Sequence, residues 1–157
     1  DKNDWICPQI ALDNAFALLH TRINQEQVET VVEDLSSFQV LANDVRLEQV
    51  FINLISNALD AMQLSQYKRL TVYCETDAKA VDIHFSDTGS GIDNDHLLQL
   101  FDPFFSTKDV GVGLGLGLTI SYSIIKTMGG HLSGRNSATG AVFSIRLRAA
   151  SKSDRIL

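Results

Sequence analysis

The sequence predicts a two-layer α/β sandwich: a mixed, mostly antiparallel sheet with its helices packed on one face. In segment 46–62 the apolar residues recur at helical spacing and form one stripe, which is typical of an amphipathic helix. Segments 69–76 with 80–86, and 131–136 with 141–148, are two strand pairs joined by short turns, and such turns connect antiparallel strands. Strand and helix do not alternate regularly, which excludes a doubly wound parallel fold.

The remaining segments follow from the same patterns. They are a first helix that begins near Pro8, short strands at 27–34 and 38–42, a glycine-rich polar loop at 87–117, and a helix at 118–128 that Gly129 and Gly130 end. We expect residues 1–148 to form a single domain. Residues 149–157 show no pattern and are expected to form a loose C-terminal tail.

Composition limits the possible functions. The 157 residues are 45% hydrophobic and 20% charged, which is ordinary for one globular domain. The net charge is −6 and Lys and Arg form no cluster, so nucleic acid and anionic membranes are not expected partners. No apolar run approaches the roughly 18–20 residues of a membrane span. Cys7 and Cys74 are isolated, and the four histidines have no metal-binding spacing.

Segment 111–118, G-V-G-L-G-L-G-L, places four glycines within seven positions. Such a run indicates a backbone that turns sharply or approaches another group closely. Here it leads directly into a predicted helix, an arrangement that presents unpaired N–H groups to an anion such as a phosphate. A flexible hinge or linker is the alternative interpretation.

On the long helix, Asn53, Asn57 and Asp60 lie within roughly 60° of one another. Their oxygens could coordinate a hard cation and bind a phosphate chain, because Mg²⁺ takes one or two protein oxygens and completes its octahedron with phosphates and water. An ordinary solvated helix face is the alternative.

A carboxylate stands at the end of the predicted strand 80–86, in the motif Asp87-Thr88-Gly89-Ser90-Gly91-Ile92. It could accept a hydrogen bond from an exocyclic amine, while the glycine backbone lets a flat ring approach. A surface turn that begins with Asp is the alternative.

Segment 100–108 carries three phenylalanines in five positions and ends at Lys108. Aromatic residues of that density could anchor a lid and leave Lys108 to reach an anion. They could equally form a satellite hydrophobic cluster that holds down a long loop.

Taken in this order, the motifs resemble the catalytic and ATP-binding domain of bacterial sensor histidine kinases. These belong to the GHKL superfamily, with large heat-shock chaperones, DNA gyrase and MutL proteins. The resemblance covers residues 8–148; it consists of an N-box at 53–61, a first glycine box at 87–92, an F-box at 100–108, a second glycine box at 113–118 and the closing hairpin at 129–143. Within the kinases the chain looks most like dicarboxylate-transport and nitrogen-regulatory sensors.

The resemblance implies the Bergerat ATP-binding fold and a role for each motif. Asn53 and Asn57 are then catalytic residues, with Asn57 as the Mg²⁺ ligand, and Asp87 accepts the adenine amine. Segment 94–112 is the lid. The implied ATP-binding residues are Asn57, Asp60, Asp87, Gly89, Gly91, Lys108, Gly113, Leu114, Gly115, Leu116, Gly117 and Leu118.

Three positions depart from relatives. Asp60 replaces a Lys that touches the terminal phosphate in many kinases, and Val142 replaces a Thr that supports adenine through water. Asn53 stands where the chaperone, gyrase and MutL relatives carry the Glu that activates water. An amide cannot act as a general base, so water attack should be slow. Glu48 lies further back on the helix.

The implied function is transfer of the ATP γ-phosphoryl group to a His on a separate dimerisation domain, because no histidine here lies in the acidic box typical of the phosphoacceptor. We therefore expect a cytoplasmic module of a longer, membrane-anchored sensor that signals to a sigma-54-associated response regulator. A self-contained ATPase switch and a degenerate nucleotide-binding interaction module are the alternatives.

Overall fold

The computed structural model describes residues 2–102 and 116–150. The elements are β1 (Asp4–Ile6), α1 (Pro8–Gln25), β2 (Glu29–Val32), β3 (Val40–Ala42), α2 (Asp44–Ala61), β4 (Arg69–Thr76), β5 (Ala80–Asp87), a 3₁₀ helix (Asn94–Gln99), α3 (Leu116–Thr127), β6 (His131–Asn136) and β7 (Ala141–Arg148). Within these ranges no helix has both the length and the apolarity needed to cross a membrane.

Five strands form the main sheet, in the order β2-β4-β5-β7-β6. Only the β2–β4 pair is parallel; the other three pairs are antiparallel. Both predicted hairpins are present, with strand ends within one residue of the prediction. In the first of them the Asp77 carboxylate accepts hydrogen bonds from the Lys79 and Ala80 N–H groups, which closes the turn.

The helices cover one face of this sheet, which confirms the predicted fold class. Asn43 caps α2 by accepting a hydrogen bond from the Arg46 N–H group at 3.0 Å. The apolar stripe of α2 is buried, and its Phe51 ring lies 5.5 Å from the ring of Phe85 on β5. Helix α2 therefore forms the centre of the helix layer, with α1 and α3 beside it.

The two short strands predicted at 27–34 and 38–42 are present as β2 and β3, each shorter than predicted, and they lie in different sheets. Strand β2 is an edge of the main sheet, whereas β3 pairs with β1 in a separate two-stranded sheet. Strand β1 was not predicted, because its three residues carry too little alternation to be recognised from sequence. Within the expected tail, Ala149 and Ala150 donate backbone hydrogen bonds to Lys79 and Gln39, and Ala150 is buried. Residues 151–157 lie outside the described ranges.

Candidate functional site

Asp87 occupies the last position of β5, where the strand meets the glycine-containing loop. Its side chain is only 2% exposed, and Oδ1 accepts hydrogen bonds from the N–H groups of Gly89 (2.9 Å) and Ala141 (3.3 Å). Burial raises the pKa of the carboxyl above its ordinary value, although the two N–H groups act in the opposite direction. Because both donors bind Oδ1, Oδ2 is the oxygen left to accept a bond from a ligand amine.

The loop after Asp87 lies directly against the end of α2. A Cβ atom on Gly89 would lie 2.5 Å from the carbonyl oxygen of Ala61, so no larger residue fits there. Gly91 has a φ of +78°, which L side chains rarely adopt. Glycine is therefore needed at both positions, at Gly89 for packing on the end of α2 and at Gly91 for the turn of the loop.

Two residues outside the predicted site hold this loop in place. At the end of β6, the Asn136 side chain accepts a hydrogen bond from the Ile92 N–H group and donates one to the Ile92 carbonyl, both at 2.6 Å. Gly140 packs so closely on Asp87 that a Cβ atom would overlap the Asp87 carbonyl oxygen. The sequence does not identify either residue, because Asn and Gly are common in any hairpin turn.

Asn53 lies at the other end of the site, on α2. Its Nδ2 donates a hydrogen bond to Ser121 Oγ on α3 at 3.0 Å. Gly117, in the first turn of α3, faces the same side chain so closely that a Cβ atom would overlap Asn53 Oδ1. The N-terminus of α3 is thus fixed next to Asn53. A helix N-terminus carries unpaired N–H groups and a partial positive charge, which favour an anion.

Helix α2 connects these two ends. Asn57 lies one turn after Asn53 and is partly exposed. It stands between Ala61, on which Gly89 packs, and Asn53, on which Gly117 packs. The distance from Asn53 to Ala61 along the helix axis is about 12 Å. The Asp87 carboxyl group, the Asn57 amide and the N-terminus of α3 thus follow one another. A nucleobase, a metal ion and a phosphate chain require groups in that order.

Other predicted site residues differ in how far the structure describes them. The Asp60 carboxylate pairs with the Arg22 guanidinium of α1 at 2.6 Å. Leu118 is partly buried against the core, and Leu116 is the first residue of α3. Lys108, Gly113, Leu114 and Gly115, with most of the expected lid, lie outside the described residues.

The contacts of Glu48 and Val142 are consistent with the departures from relatives seen in the sequence. The Glu48 carboxylate accepts a hydrogen bond from Asn14 Nδ2 at 2.9 Å, so it is turned toward α1 rather than toward Asn53. Val142 is buried in β7, opposite Ser86. No acidic side chain therefore stands in for Asn53 as a base on this part of α2.

Comparisons with known proteins agree with this geometry. The family model described as histidine kinase-, DNA gyrase B-, and HSP90-like ATPase matches residues 42–151. The two-component sensor PprA of Pseudomonas aeruginosa is 35% identical over 94% of the chain. The C4-dicarboxylate transport sensor protein DctB of Rhizobium meliloti is 36% identical over 88% of it. The chain spans only 17% and 22% of the length of these two relatives.

Solved structures agree in fold. The catalytic domain of the histidine kinase ThkA, in a nucleotide-free form, superposes with a TM-score of 0.82 at 24% identity, covering 94% of this chain and 96% of that one. ThkA has also been solved in complex with the response regulator protein TrrA. These matches confirm the predicted resemblance to sensor histidine kinases, dicarboxylate-transport sensors among them. The chain belongs to the family of histidine kinase-, DNA gyrase B- and HSP90-like ATPases.

Proposed function

We propose that this chain is the ATP-binding catalytic domain of a two-component sensor kinase, which transfers the γ-phosphoryl group of ATP to a histidine on a separate helical dimerisation domain. The observation that carries the proposal is the position of Asn57 on α2, between the buried Asp87 and the N-terminus of α3. This arrangement gives a nucleotide a fixed direction: base toward β5 and phosphates toward α3.

Adenine recognition follows from Asp87. Its Oδ2 accepts a hydrogen bond from the exocyclic amine of adenine, while Oδ1 remains bound to the Gly89 and Ala141 N–H groups. Guanine carries a carbonyl at the equivalent position, and two facing acceptors repel each other. Gly89 and Gly91 belong to the loop that the family resemblance places over the purine ring.

The phosphate end has donors suited to a divalent cation. The amide oxygen of Asn57 is the hard type of ligand that Mg²⁺ accepts, and Asn53 is held beside it by Ser121. Asn57, with Asn53 beside it, would hold Mg²⁺, which would supply positive charge against the phosphates. Gly117 lets the N-terminus of α3 approach Asn53. By the resemblance, Gly113, Leu114, Gly115, Leu116 and Leu118 would line the phosphates with it, and Lys108 would contact a phosphate.

The absence of a general base on this part of α2 favours phosphoryl transfer over hydrolysis. Asn53 cannot remove a proton from water, and Glu48 is bonded to Asn14. ATP therefore persists until an imidazole nitrogen is positioned in line with the γ-phosphate. Catalysis then consists mainly of positioning and charge neutralisation.

By the same proposal, residues 1–148 act as one domain in the cytoplasm, as part of a longer inner-membrane sensor. Its partners are the dimerisation domain of the same kinase and a response regulator of the sigma-54-associated type. The named relatives PprA and DctB are sensors, and ThkA forms a complex with a response regulator. These names support the class of partner.

Calorimetric titration of the chain with ATP, with and without Mg²⁺, tests the proposal, and GTP is the control nucleotide. We expect adenine-selective binding that Mg²⁺ strengthens, slow hydrolysis, and phosphotransfer once a histidine-bearing dimerisation domain is added. Rapid hydrolysis without any acceptor would instead indicate a self-contained ATPase switch. Absence of nucleotide binding would indicate a degenerate interaction module and contradict the proposal.

A further inference from the structure

Arg22 is a cation that α1 brings to the same face of α2 as the site residues. Its Nη2 contacts Asp60 Oδ1 at 2.6 Å, its Nη1 donates to Ser56 Oγ at 3.2 Å, and its Nε donates to Glu26. Three side chains therefore hold the guanidinium at once, and it has a defined position.

The packing of the two helices explains why Arg22 reaches this position. Asn14 bonds Glu48 and Arg22 bonds Ser56, two contacts with the same offset of 34 residues. Helices α1 and α2 thus run side by side in the same direction. Asn53 and Asp60 are seven residues apart, so their side chains leave α2 within about 20° of each other. A guanidinium bonded to Asp60 and Ser56 consequently lies on the side of α2 that carries Asn53 and Asp60.

Arg22 still has donors available for a ligand. A guanidinium carries five N–H groups, and Arg22 uses three of them among the described residues, which leaves one on each Nη atom. The side chain is 28% exposed. Burial alone would lower the pKa of Arg22, but the bonds to Asp60 and Glu26 outweigh it and raise the pKa, so the group stays charged.

The electrostatics of the site call for such a cation. The chain has a net charge of −6, and the described site includes the carboxylates Asp60 and Asp87 beside the neutral amides of Asn53 and Asn57. A triphosphate needs positive charge placed locally against that background. Arginine suits the task, because its planar fork can bond a carboxylate and a phosphate oxygen in fixed geometry.

Resting on the proposed function, we propose that Arg22 binds the terminal phosphate of ATP, with Asp60 and Ser56 holding its guanidinium in position for that contact. Asp60 then acts as a positioning residue for a cation from α1, rather than as a direct ligand of the phosphate. A purely structural Arg22, which only ties α1 to α2, is the competing explanation. The two differ in one respect: a contact with the terminal phosphate affects ATP and leaves ADP nearly unaffected.

The test compares ATP and ADP affinities of Arg22→Met, Arg22→Lys and the wild-type chain by calorimetry in the presence of Mg²⁺. Methionine keeps the aliphatic packing and removes the charge. We expect Arg22→Met to weaken ATP binding about ten-fold or more, the size of losing a hydrogen bond to a charged group, and ADP binding by less than about two-fold. Arg22→Lys should retain part of the preference for ATP.

Arg146→Met is the matched control, because Arg146 is also held by two carboxylates, Asp77 and Asp82, at 2.6 and 2.8 Å. It should leave both affinities unchanged. Equal weakening of ATP and ADP in Arg22→Met, or no change in either, would overturn the role of Arg22 and leave the proposed function intact. A wild-type chain that binds neither nucleotide would overturn both.

Discussion

Asp87 carries an energetic cost in the free protein that a nucleotide can offset. The carboxyl is almost fully buried, and burial raises its pKa because the charged form loses hydration. An adenine amine returns a donor to that charged form. The residue is therefore better suited to binding than to holding the fold together, which is typical of a functional position.

Replacing Asp87 by Asn should separate these two roles. The Asn oxygen can still accept the Gly89 and Ala141 N–H groups, so the free chain should melt at the wild-type temperature or slightly higher. Its amide nitrogen faces the adenine amine as a second donor, so ATP binding should weaken by about 1–3 kcal/mol and the preference over GTP should shrink. Calorimetry with both nucleotides, beside a melting curve, measures this.

Asp82→Asn is the control, since Asp82 lies on the same strand but pairs with Arg146.

The sign of the pH dependence of ATP affinity gives a second check on Asp87. A raised pKa means that Asp87 takes up its proton at a higher pH than an exposed Asp, so ATP affinity should fall as the pH is lowered through that value. Asp87→Asn should not show this fall, which corrects for titration of ATP itself. Unchanged ATP affinity in Asp87→Asn contradicts adenine recognition by this residue.

Asn57 gives a prediction about the metal. Its amide is the oxygen donor between the two ends of the site, so Asn57→Ala should bind ATP with the same affinity whether or not Mg²⁺ is present. Titrations with and without Mg²⁺ measure the difference. Asn14→Ala, on the outer side of the same helix pair, should keep the full magnesium effect. A normal response to Mg²⁺ in Asn57→Ala would exclude it as a ligand.

Among the elements, the β6–β7 hairpin supports the site more than its sequence indicates. It supplies Asn136, which bonds both backbone groups of Ile92, and the Ala141 N–H group that binds Asp87. It also supplies Gly140, which lets β7 approach the end of β5. The loop around the predicted adenine site is thus held by the hairpin next to β5.

Removal of the Asn136 side chain should loosen this loop without unfolding the domain. We expect Asn136→Ala to speed hydrogen exchange at the Ile92 amide and to weaken ATP binding by about 1 kcal/mol, the usual value of a hydrogen bond. Hydrogen exchange with mass spectrometry and calorimetry report the two effects. Asn24→Ala, which removes an exposed contact with His20, is the control. Identical exchange at Ile92 in variant and wild type would contradict the role of Asn136.

For the molecule as a whole, helix α2 unites the core and the site. One side of it packs on α1 and on the sheet, while another presents Asn53 and Asn57. Loss of core packing should therefore lower stability and nucleotide binding together, since the same helix carries both.

Phe51→Ala tests the contribution of α2 to stability, because Phe51 is completely buried and its ring meets Phe85 across the two layers. Truncation should cost about 3–5 kcal/mol of the free energy of unfolding, the range for large aromatic residues in cores. Urea unfolding measures it. Leu18→Ala removes a leucine that is 67% exposed and should change stability by less than about 0.5 kcal/mol. Similar losses in both variants would show that α2 is not central to the core.

The parts of this protein that were predictable are those with a local cause. A helical apolar stripe identifies α2 and short turns identify the two hairpins, since each signal depends on residues that are neighbours in the chain. The motif of Asp87, Gly89 and Gly91 is local in the same way, and it predicts the adenine site. Strand β1 and the 3₁₀ helix were not predicted, because segments of three to six residues show no clear hydrophobic period.

The contacts that complete the site join residues far apart in sequence, and no local pattern records them. Arg22 meets Asp60 across 38 residues, Asn136 meets Ile92 across 44, and Asn53 meets Ser121 across 68. Each side chain is an ordinary surface Arg, Asn or Ser until helix packing and sheet order bring its partner within hydrogen-bond distance. The chemistry of the groups proposed to face a ligand is thus encoded locally, whereas their orientation and charge balance arise from packing.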